Sequence, residues 1–394
     1  MEYRIPNYFQ KFSCIGGSCP DTCCAGWQIV IDMESLEKYQ NLEGSFGNRL
    51  RNEIDWEEGV FQQYKGECCF LNEDKLCDIY KEVGQDKLCK TCRVYPRHIE
   101  EYAGLQEVFL CMSCPEVSRI IFEDTDKVTL VDEQTEEEDQ MDDFEDFDFL
   151  LFTKLEDTRE YLIEVLQNRE EKIYERCSYL LYFGEQLQKL LENDEIFRMD
   201  QLLEDEKIKV QKLPIKEQKQ ENDVVPEARS GVMKNVLELL LSLEIRKDSW
   251  KKQLETAKEL LYTMDSCEYQ KKMEEFRNVH CFTQEDKKKW KINFEKVVVY
   301  YMLTYYCGAV YDDEILSKIK FSILNALAIE ELLFAKWLKS GIKIELEDWI
   351  QVSYEYAREL EHSDTNMEQF ELAIIEQDEF FVEKIVECLA YCKL

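Results

Sequence analysis

Residues 12–27 read FSCIGGSCPDTCCAGW, and this stretch decides how the N-terminal region folds. Glycine and proline stand between its cysteines, so turns rather than regular elements separate the thiols. Two-residue gaps between the later cysteines let both thiolates of one turn reach the same ion. We therefore expect a metal ion or an iron–sulfur centre to organise this region. The cysteines of this region are Cys14, Cys19, Cys23, Cys24, Cys68, Cys69, Cys77, Cys89, Cys92, Cys111 and Cys114.

The predicted cellular compartment determines how these cysteines are interpreted. The chain has 17 of them, and eleven precede residue 115. The first residues do not resemble a signal peptide, and the longest apolar run, residues 297–311, is too short and too polar to span a bilayer. These features predict a soluble cytoplasmic protein without a membrane partner. Thiol pools reduce disulfides there, so a dense cysteine cluster indicates metal binding.

Composition excludes several classes of function. The 394 residues are 45% apolar, enough for a buried core, and the formal net charge is −35. Such a field repels polyphosphates, so we do not expect nucleic acid as a partner. The sequence contains neither a GxGxxG nor a GxxxxGK[ST] loop, which removes the usual Rossmann and P-loop sites. Gly26 stands where the CxxxCxxC spacing of radical S-adenosylmethionine enzymes would need a third cysteine.

The chain divides into three segments by composition. Residues 1–120 form an irregular cysteine-rich domain, residues 121–150 an acidic linker, and residues 151–394 an all-helical domain, so the fold class is mainly α. The linker holds fourteen acidic residues and one lysine, and it is interpreted either as a solvated connector or as a lip that attracts lysine.

Finer predictions concern individual elements. In the first segment, residues 29–31 predict a short strand and residues 34–40 the start of a helix. In the third, apolar periodicity predicts helices over 294–306, 315–338 and 370–389, and two prolines predict a long loop over 205–230.

The nature of the metal stays open on the residues alone. Thiolates ligate zinc and iron–sulfur clusters alike, and His98 is the only histidine of the region. His98 is interpreted as a structural hydrogen-bonding residue. A zinc-stapled fold without catalysis and a catalytic iron–sulfur protein are both compatible with this spacing.

The cysteine motifs together resemble the bacterial flagellin lysine-N-methylase family, a cysteine-rich, iron–sulfur-containing group. The resemblance rests on residues 21–27 (DTCCAGW), 89–96 (CKTCRVYP) and 111–115 (CMSCP), and on an aromatic helical tail. The motifs are also similar to those of the broader zinc- or iron-chelating cysteine-cluster proteins.

The resemblance to the methylase family implies transfer of a methyl group from S-adenosylmethionine to lysine ε-amines of flagellin, in a protein that carries a [4Fe–4S] cluster. The cluster would either bind the methyl donor or only hold the fold together. The alternative function is a non-catalytic zinc- or iron–sulfur-binding interaction or redox module. The residues point neither to a catalytic base nor to a pocket for the methyl donor.

The resemblance also implies the ligand set. Ten candidates exceed the four ligands of one cluster, so some are spare or a second metal is bound. Cys69, Cys77 and Cys92 are shared with the broader pattern and are the preferred ligands, and Cys68 is expected to be a bystander. The candidate ligands are Cys14, Cys19, Cys23, Cys24, Cys69, Cys77, Cys89, Cys92, Cys111 and Cys114. Six later cysteines are expected to be buried apolar residues: Cys177, Cys267, Cys281, Cys307, Cys388 and Cys392.

Overall fold

The structure, a computed structural model, describes residues 2–134, 147–209 and 227–391. Short elements make up its first part, and long helices make up the rest. The fold class predicted from the sequence is thereby confirmed. The elements of the first part are β1 (Glu2–Pro6), α1 (Met33–Asn41), α2 (Gly44–Asn52), β2 (Ile54–Asp55), β3 (Val60–Phe61), β4 (Gln63–Tyr64), β5 (Glu67–Cys68), α3 (Asp78–Val83), α4 (Lys90–Val94), β6 (Arg97–Tyr102), β7 (Leu105–Leu110), α5 (Pro115–Glu123) and β8 (Leu130–Gln134).

One four-stranded sheet has the order β6-β7-β1-β8. Strand β1 pairs in parallel with β7 and antiparallel with β8, so residues near the start of the chain lie between segments about a hundred residues away. Strands β6 and β7 form an antiparallel hairpin. Short-range patterns do not reveal such pairings, so this sheet was not predicted from the sequence.

A small separate core lies in the cysteine-rich region. Its buried residues come from α1, α2 and the short strands, and several cysteines pack against it. The predicted helix at 34–40 is confirmed as α1, whereas the predicted strand at 29–31 is reduced to a single bridge between Val30 and Val60. The apolar members of this core are Ile29, Ile31, Tyr39, Leu50, Ile54, Phe61, Phe70 and Ile79.

The helical part provides the large core. The predicted loop over 205–230 is wrong at both ends, because one helix continues to Lys209 and the next begins at Glu227. Residues 210–226 lie outside the described residues, as do residues 135–146 of the acidic segment. The predicted helix over 370–389 is wrong as one element, because a 3₁₀ turn at Asp378–Phe380 divides it. The helices are α6 (Phe149–Leu166), α7 (Ile173–Glu192), α8 (Arg198–Lys209), α9 (Glu227–Ser242), α10 (Asp248–Tyr262), α11 (Ser266–His280), α12 (Gln284–Tyr305), α13 (Ala309–Asp312), α14 (Ile315–Ser340), α15 (Leu346–Glu361), α16 (Asp364–Glu376) and α17 (Val382–Tyr391).

Buried ion pairs attach the sheet to the helices. The Glu107 carboxylate of β7 is fully buried and accepts hydrogen bonds from both terminal nitrogens of Arg159 on α6, at 2.6 and 2.5 Å. Arg4 of β1 pairs with the same carboxylate at 3.2 Å and with Glu156 at 2.5 Å. The sheet therefore packs with the helical body rather than with the small cysteine-rich core.

The later cysteines behave mostly as expected. Cys177, Cys281, Cys307 and Cys388 are buried. Cys267 is exposed, contrary to the expectation, because it lies in the first turn of α11 on the solvent side. Cys392 lies outside the described residues. Across the part of the chain that the structure describes, no helix is both long enough and apolar enough to cross a membrane.

Candidate functional site

Three of the predicted ligands stand directly before a helix. Cys77 precedes α3, Cys89 precedes α4 and Cys114 precedes α5. The first N–H groups of a helix have no partner inside the helix, so they are available to a sulfur at this position. The Cys77 sulfur accepts such bonds from the backbone of the first turn of α3. Bonds of this kind favour the thiolate, which is the form that binds metal.

Cys24 contacts two thiols, Cys23 and Cys77, that lie far apart in the sequence. Its side chain is hydrogen-bonded to Cys23 and to Cys77. These bonds lower the pKa of both Cys23 and Cys77 to about 7, because the single S–H proton of Cys24 can stabilise the thiolate of either one. The pKa of Cys24 is raised for the same reason. Cys24 can thus stabilise one thiolate at a time, at Cys23 or at Cys77.

A second pair of thiols faces this trio. Cys92 is hydrogen-bonded to Cys89, which lowers the pKa of Cys89 and raises that of Cys92. The charges of Cys77 and Cys23 raise the pKa of Cys92 further, so the pair and the trio share one neighbourhood. We call Cys23, Cys24, Cys77, Cys89 and Cys92 the five-thiol group.

The remaining predicted ligands have other surroundings. Cys14 is exposed, and the Cys19 thiol donates to the Asp21 carbonyl at 3.2 Å. Cys69 is hydrogen-bonded to its neighbour Cys68, which raises the pKa of Cys69. Burial raises the pKa of Cys111, and it raises that of Cys114 to about 12.

The five-thiol group fits a thiolate-bound metal by its donor chemistry. Its members are free thiols, and the group rests against the small apolar core. Five sulfurs suffice for the four ligands of a [4Fe–4S] cluster or of a structural zinc ion. Among the described residues, no three or more Cys, His, Asp or Glu side chains already stand in metal-binding geometry. Ligation would therefore require these thiols to come closer together than they are here.

The loop that carries Cys23 is anchored to the helical body. Asp21 pairs with Arg358 of α15 at 2.8 Å, and Lys247 reaches the same carboxylate at 2.8 Å. Gly26 makes room for the lysine: it has φ +82°, and a Cβ atom there would lie 2.5 Å from Lys247 Cε. Gly26 thus allows the DTCCAGW stretch to pack closely against Lys247.

Aromatic residues connect the five-thiol group with the end of α15. Trp27 donates from Nε1 to the Cys23 carbonyl at 2.7 Å, and its ring centroid lies 4.6 Å from that of His362. His362 and Tyr95 are both hydrogen-bonded to the Ser113 hydroxyl, at 2.9 and 3.3 Å. Burial lowers the pKa of His362 to about 3, so its ring is neutral. The loop that carries Cys111 and Cys114 therefore lies between the five-thiol group and the helical body.

Met112, the residue before Ser113, leads to a buried carboxyl group. The Met112 N–H donates to the Tyr300 hydroxyl at 3.0 Å, and this hydroxyl donates to Glu361 at 2.7 Å. No sequence pattern marks Arg358, His362 or Glu361 as functional, because α15 has the pattern of an ordinary amphipathic helix. The only signal was His362 itself, one of three histidines in the chain.

The helical domain identifies the family. Residues 159–385, more than half of the chain, match the sequence profile of the FliB lysine N-methylase C-terminal domain. The chain belongs to the FliB lysine N-methylase family. This match contains α12 and α15 but none of the predicted cysteine ligands, so the family assignment is independent of the cysteine motifs.

Individual relatives agree with the family. The chain is 31% identical over 134 residues to the lysine-N-methylase of Salmonella typhimurium, and equally to that of Salmonella choleraesuis. It is also 31% identical over 134 residues to the flagellar biosynthetic protein FliU of Salmonella muenchen. The matched segment covers 32% of this chain, 33% of each methylase and 79% of FliU. The chain thus spans about a third of the length of the two methylases. No solved structure matches the chain.

Proposed function

We propose that this protein is an S-adenosylmethionine-dependent lysine N-methylase that modifies flagellin and carries a cysteine-ligated [4Fe–4S] cluster. The observation that carries the methylase assignment is the family match over residues 159–385. The name of the Salmonella muenchen relative, a flagellar biosynthetic protein, supports flagellin as the substrate. The convergence of five thiols supports the cluster.

The chemistry requires a neutral amine. A lysine nitrogen must lose its proton before it displaces the donor's sulfur in line with the transferred methyl group. The protein must therefore hold the lysine side chain, exclude water and accept a proton. A [4Fe–4S] cluster on four of the five thiols would either provide a coordination site for the donor's amino and carboxylate groups or clamp the loop of Asp21 against α15.

One observation favours a second candidate function. The five-thiol group adjoins a core of ten buried residues, two of which are Cys68 and Cys89, and such a small core is usually stabilised by a metal. A non-catalytic zinc- or iron–sulfur-binding module has the same requirement. The two candidates differ in whether S-adenosylmethionine is consumed.

A labelled-methyl assay tests the proposal. The protein, purified without oxygen, is incubated with flagellin and S-adenosylmethionine carrying a labelled methyl group, and flagellin peptides are analysed by mass spectrometry. We expect methylated lysine in flagellin, one S-adenosylhomocysteine per methyl group, and about four iron and four sulfide per chain. Stoichiometric zinc together with unmodified flagellin would establish the non-catalytic module instead. Omission of the donor is the control.

A further inference from the structure

A groove separates the outer strand of the sheet from helix α6. It has a volume of about 840 Å³, and its wall comes from β8 and the residues before it, from Arg4 of β1, from α6 and the turn that follows, and from α12. None of the predicted cysteine ligands lies in this wall. We call it the β8–α6 groove. The apolar residues of its wall are Val128, Leu130, Tyr161, Ile163, Val165 and Leu303.

Three acidic side chains lie along the α6 side of this groove. Asp157, Glu160 and Glu164 are exposed, and their spacing of three and four residues places them on one face of the helix. Within the described part of the chain, none of their carboxylates forms an ion pair or a hydrogen bond. Seven positions of a helix span about 10 Å, so the three charges form a line along the groove.

The two arginines of the wall are neutralised by other carboxylates. Arg159 is paired with the buried Glu107, and Arg4 is paired with Asp132 at 2.8 Å and with Glu156 at 2.5 Å. These pairs occupy the arginines without using any of the three exposed carboxylates on α6. The outer side of the groove therefore carries uncompensated negative charge, which attracts a cationic ligand.

Strand β8 offers a free edge beside this charge. The sheet order places β8 at one end, and no other strand among the described residues pairs with its outer side. The outward N–H and C=O groups of an edge strand have no partner in the sheet, so a further extended segment can pair with them. Leu130 and Asp132 face the groove, whereas Val131 between them points to the opposite face of the sheet.

An extended segment that carries lysine fits both features. In a strand, side chains two residues apart lie on one face, about 7 Å from each other, so two lysines match a line of carboxylates about 10 Å long. The methylene stem of each lysine packs on the apolar wall while its ammonium group stays at the acidic rim. A second copy of this chain fits poorly, because two proteins with a formal net charge of −35 repel each other.

We propose that the β8–α6 groove binds an extended, lysine-bearing segment of the protein substrate, which adds to the edge of β8 as a fifth strand. Strand pairing holds the backbone of the segment, and Asp157, Glu160 and Glu164 hold its ammonium groups. The proposal deepens the proposed function and rests on it for the identity of the substrate as flagellin. Because the wall contains none of the predicted cysteine ligands, the role of the groove is substrate recognition.

A binding experiment tests the groove without methylation. Fluorescence anisotropy measures the Kd of the full chain for a labelled peptide of alternating threonine and lysine. The α6 triple variant, with Asp157→Asn, Glu160→Gln and Glu164→Gln, should raise this Kd about tenfold, the combined effect of three exposed charge pairs. Lys127→Gln should lower Kd about twofold, because it removes a positive charge from the wall.

A triple variant on another helix is the matched control. The α10 triple variant, with Asp248→Asn, Glu255→Gln and Glu259→Gln, also removes three exposed charges that have no ion-pair partner among the described residues. It should leave Kd unchanged. An equal increase in Kd in both triple variants, or equal binding of a peptide with glutamine in place of lysine, would overturn the proposal.

Hydrogen exchange tests the addition of a strand. Bound peptide should slow amide exchange in β8, because its outward N–H groups gain hydrogen-bond partners. A peptide with methylated backbone nitrogens at alternate residues cannot form these bonds and should bind about fivefold more weakly. Unchanged exchange in β8 at saturating peptide would overturn the proposal. Slow exchange that increases with protein concentration and needs no peptide would identify a second copy as the occupant, which would overturn it as well.

A kinetic experiment separates the groove from the proposed function. On flagellin, the α6 triple variant should raise KM about tenfold and leave kcat and iron content unchanged, because charge at a recognition surface acts mainly on association. If wild type binds the peptide at β8 but methylates no lysine, the groove stands and the methylase assignment fails. If wild type methylates flagellin and the α6 triple variant keeps its KM, the methylase assignment stands and the groove is overturned.

Discussion

Asp21 and Arg358 form an ion pair at 2.8 Å between the cysteine-rich loop and helix α15. The arginine is buried, and it also donates to the carbonyl groups of Asp21, Thr22 and Ser113. One side chain of the family-defining domain thus fixes both the loop of Cys23 and the loop of the last CxxC pair. The position of the five-thiol group relative to α15 depends on this contact.

Arg358→Met should destabilise the protein by about 3 kcal/mol, because three carbonyl groups lose their donor and the partly buried Asp21 carboxylate keeps only Lys247 as a charged partner. Urea unfolding followed by circular dichroism measures the change. Lys258→Met is the control, since Lys258 and Glu238 form an exposed pair and its loss should change stability by less than about 1 kcal/mol. Equal losses in the two variants would show that the Asp21–Arg358 pair does not hold the regions together.

The iron and sulfide content of single Cys→Ser variants should depend on whether the replaced cysteine belongs to the five-thiol group. Cys77→Ser and Cys92→Ser remove thiols of this group, so both should lower iron and sulfide content strongly. Cys69→Ser should lower it less, because Cys69 is paired with Cys68. Iron and sulfide analysis of anaerobically purified protein measures this order. Cys267→Ser, at an exposed position, is the control.

A Cys69→Ser variant without a cluster, beside a Cys77→Ser variant that keeps one, would contradict that order. It would favour the ligand choice implied by the cysteine-cluster proteins over the grouping that the thiol contacts indicate.

Stability should fall as pH rises from 4.5 to 7. Burial raises the pKa of Glu361 from 4.5 to about 7, so the folded state binds this proton more tightly than the unfolded state. The stabilisation is complete below the unfolded pKa and is lost as pH rises through the folded pKa. A shift of this size corresponds to about 3 kcal/mol. Glu361→Gln should remove this part of the pH dependence, which urea unfolding at pH 4.5 and 7.5 can measure.

The difference between wild type and Glu361→Gln isolates this residue from other titrating groups. A constant difference across that pH range would show that Glu361 has the same pKa in both states. Glu359→Gln should retain the wild-type contribution of Glu361.

Neutralising the acidic segment should weaken recognition of lysine-bearing flagellin. Glu136, Glu137, Glu138, Asp142 and Asp143 lie outside the described residues. Their replacement by Gln or Asn should raise KM for flagellin and flatten its salt dependence, with kcat nearly unchanged. Charge attraction acts mainly on association and is screened over about 8 Å at physiological salt. Unaltered KM at low and high salt would identify a solvated connector.

Local patterns predicted the parts of this fold that depend on nearby residues. Apolar residues at helical spacing predicted α12 and α14, because a helix forms from contacts three and four residues apart. The helix after residue 33 follows from its capping Asp32, whose side chain accepts from Ser35 N. The break at Asp378–Phe380 was missed because apolar residues at helical spacing flank the polar residues 376–379 on both sides.

Cysteine spacing predicted a metal-binding region, yet ten candidates could not be reduced to one group. Cys24 meets Cys77 only because the chain returns through the strands β2 to β5, and spacing does not encode that path. The tertiary structure alone brings Cys23, Cys24, Cys77, Cys89 and Cys92 together.

The sequence by itself determined the helical class, the cysteine-rich region and the resemblance to lysine methylases, since each is carried by residues close together in the chain. Only the tertiary structure decided that β1 lies between β7 and β8, that Asp21 meets Arg358, and that Glu361 faces Tyr300. These contacts join residues separated by 61 to 337 positions or by whole elements. Their partners are selected by burial and charge pairing in the folded core, which no local pattern records.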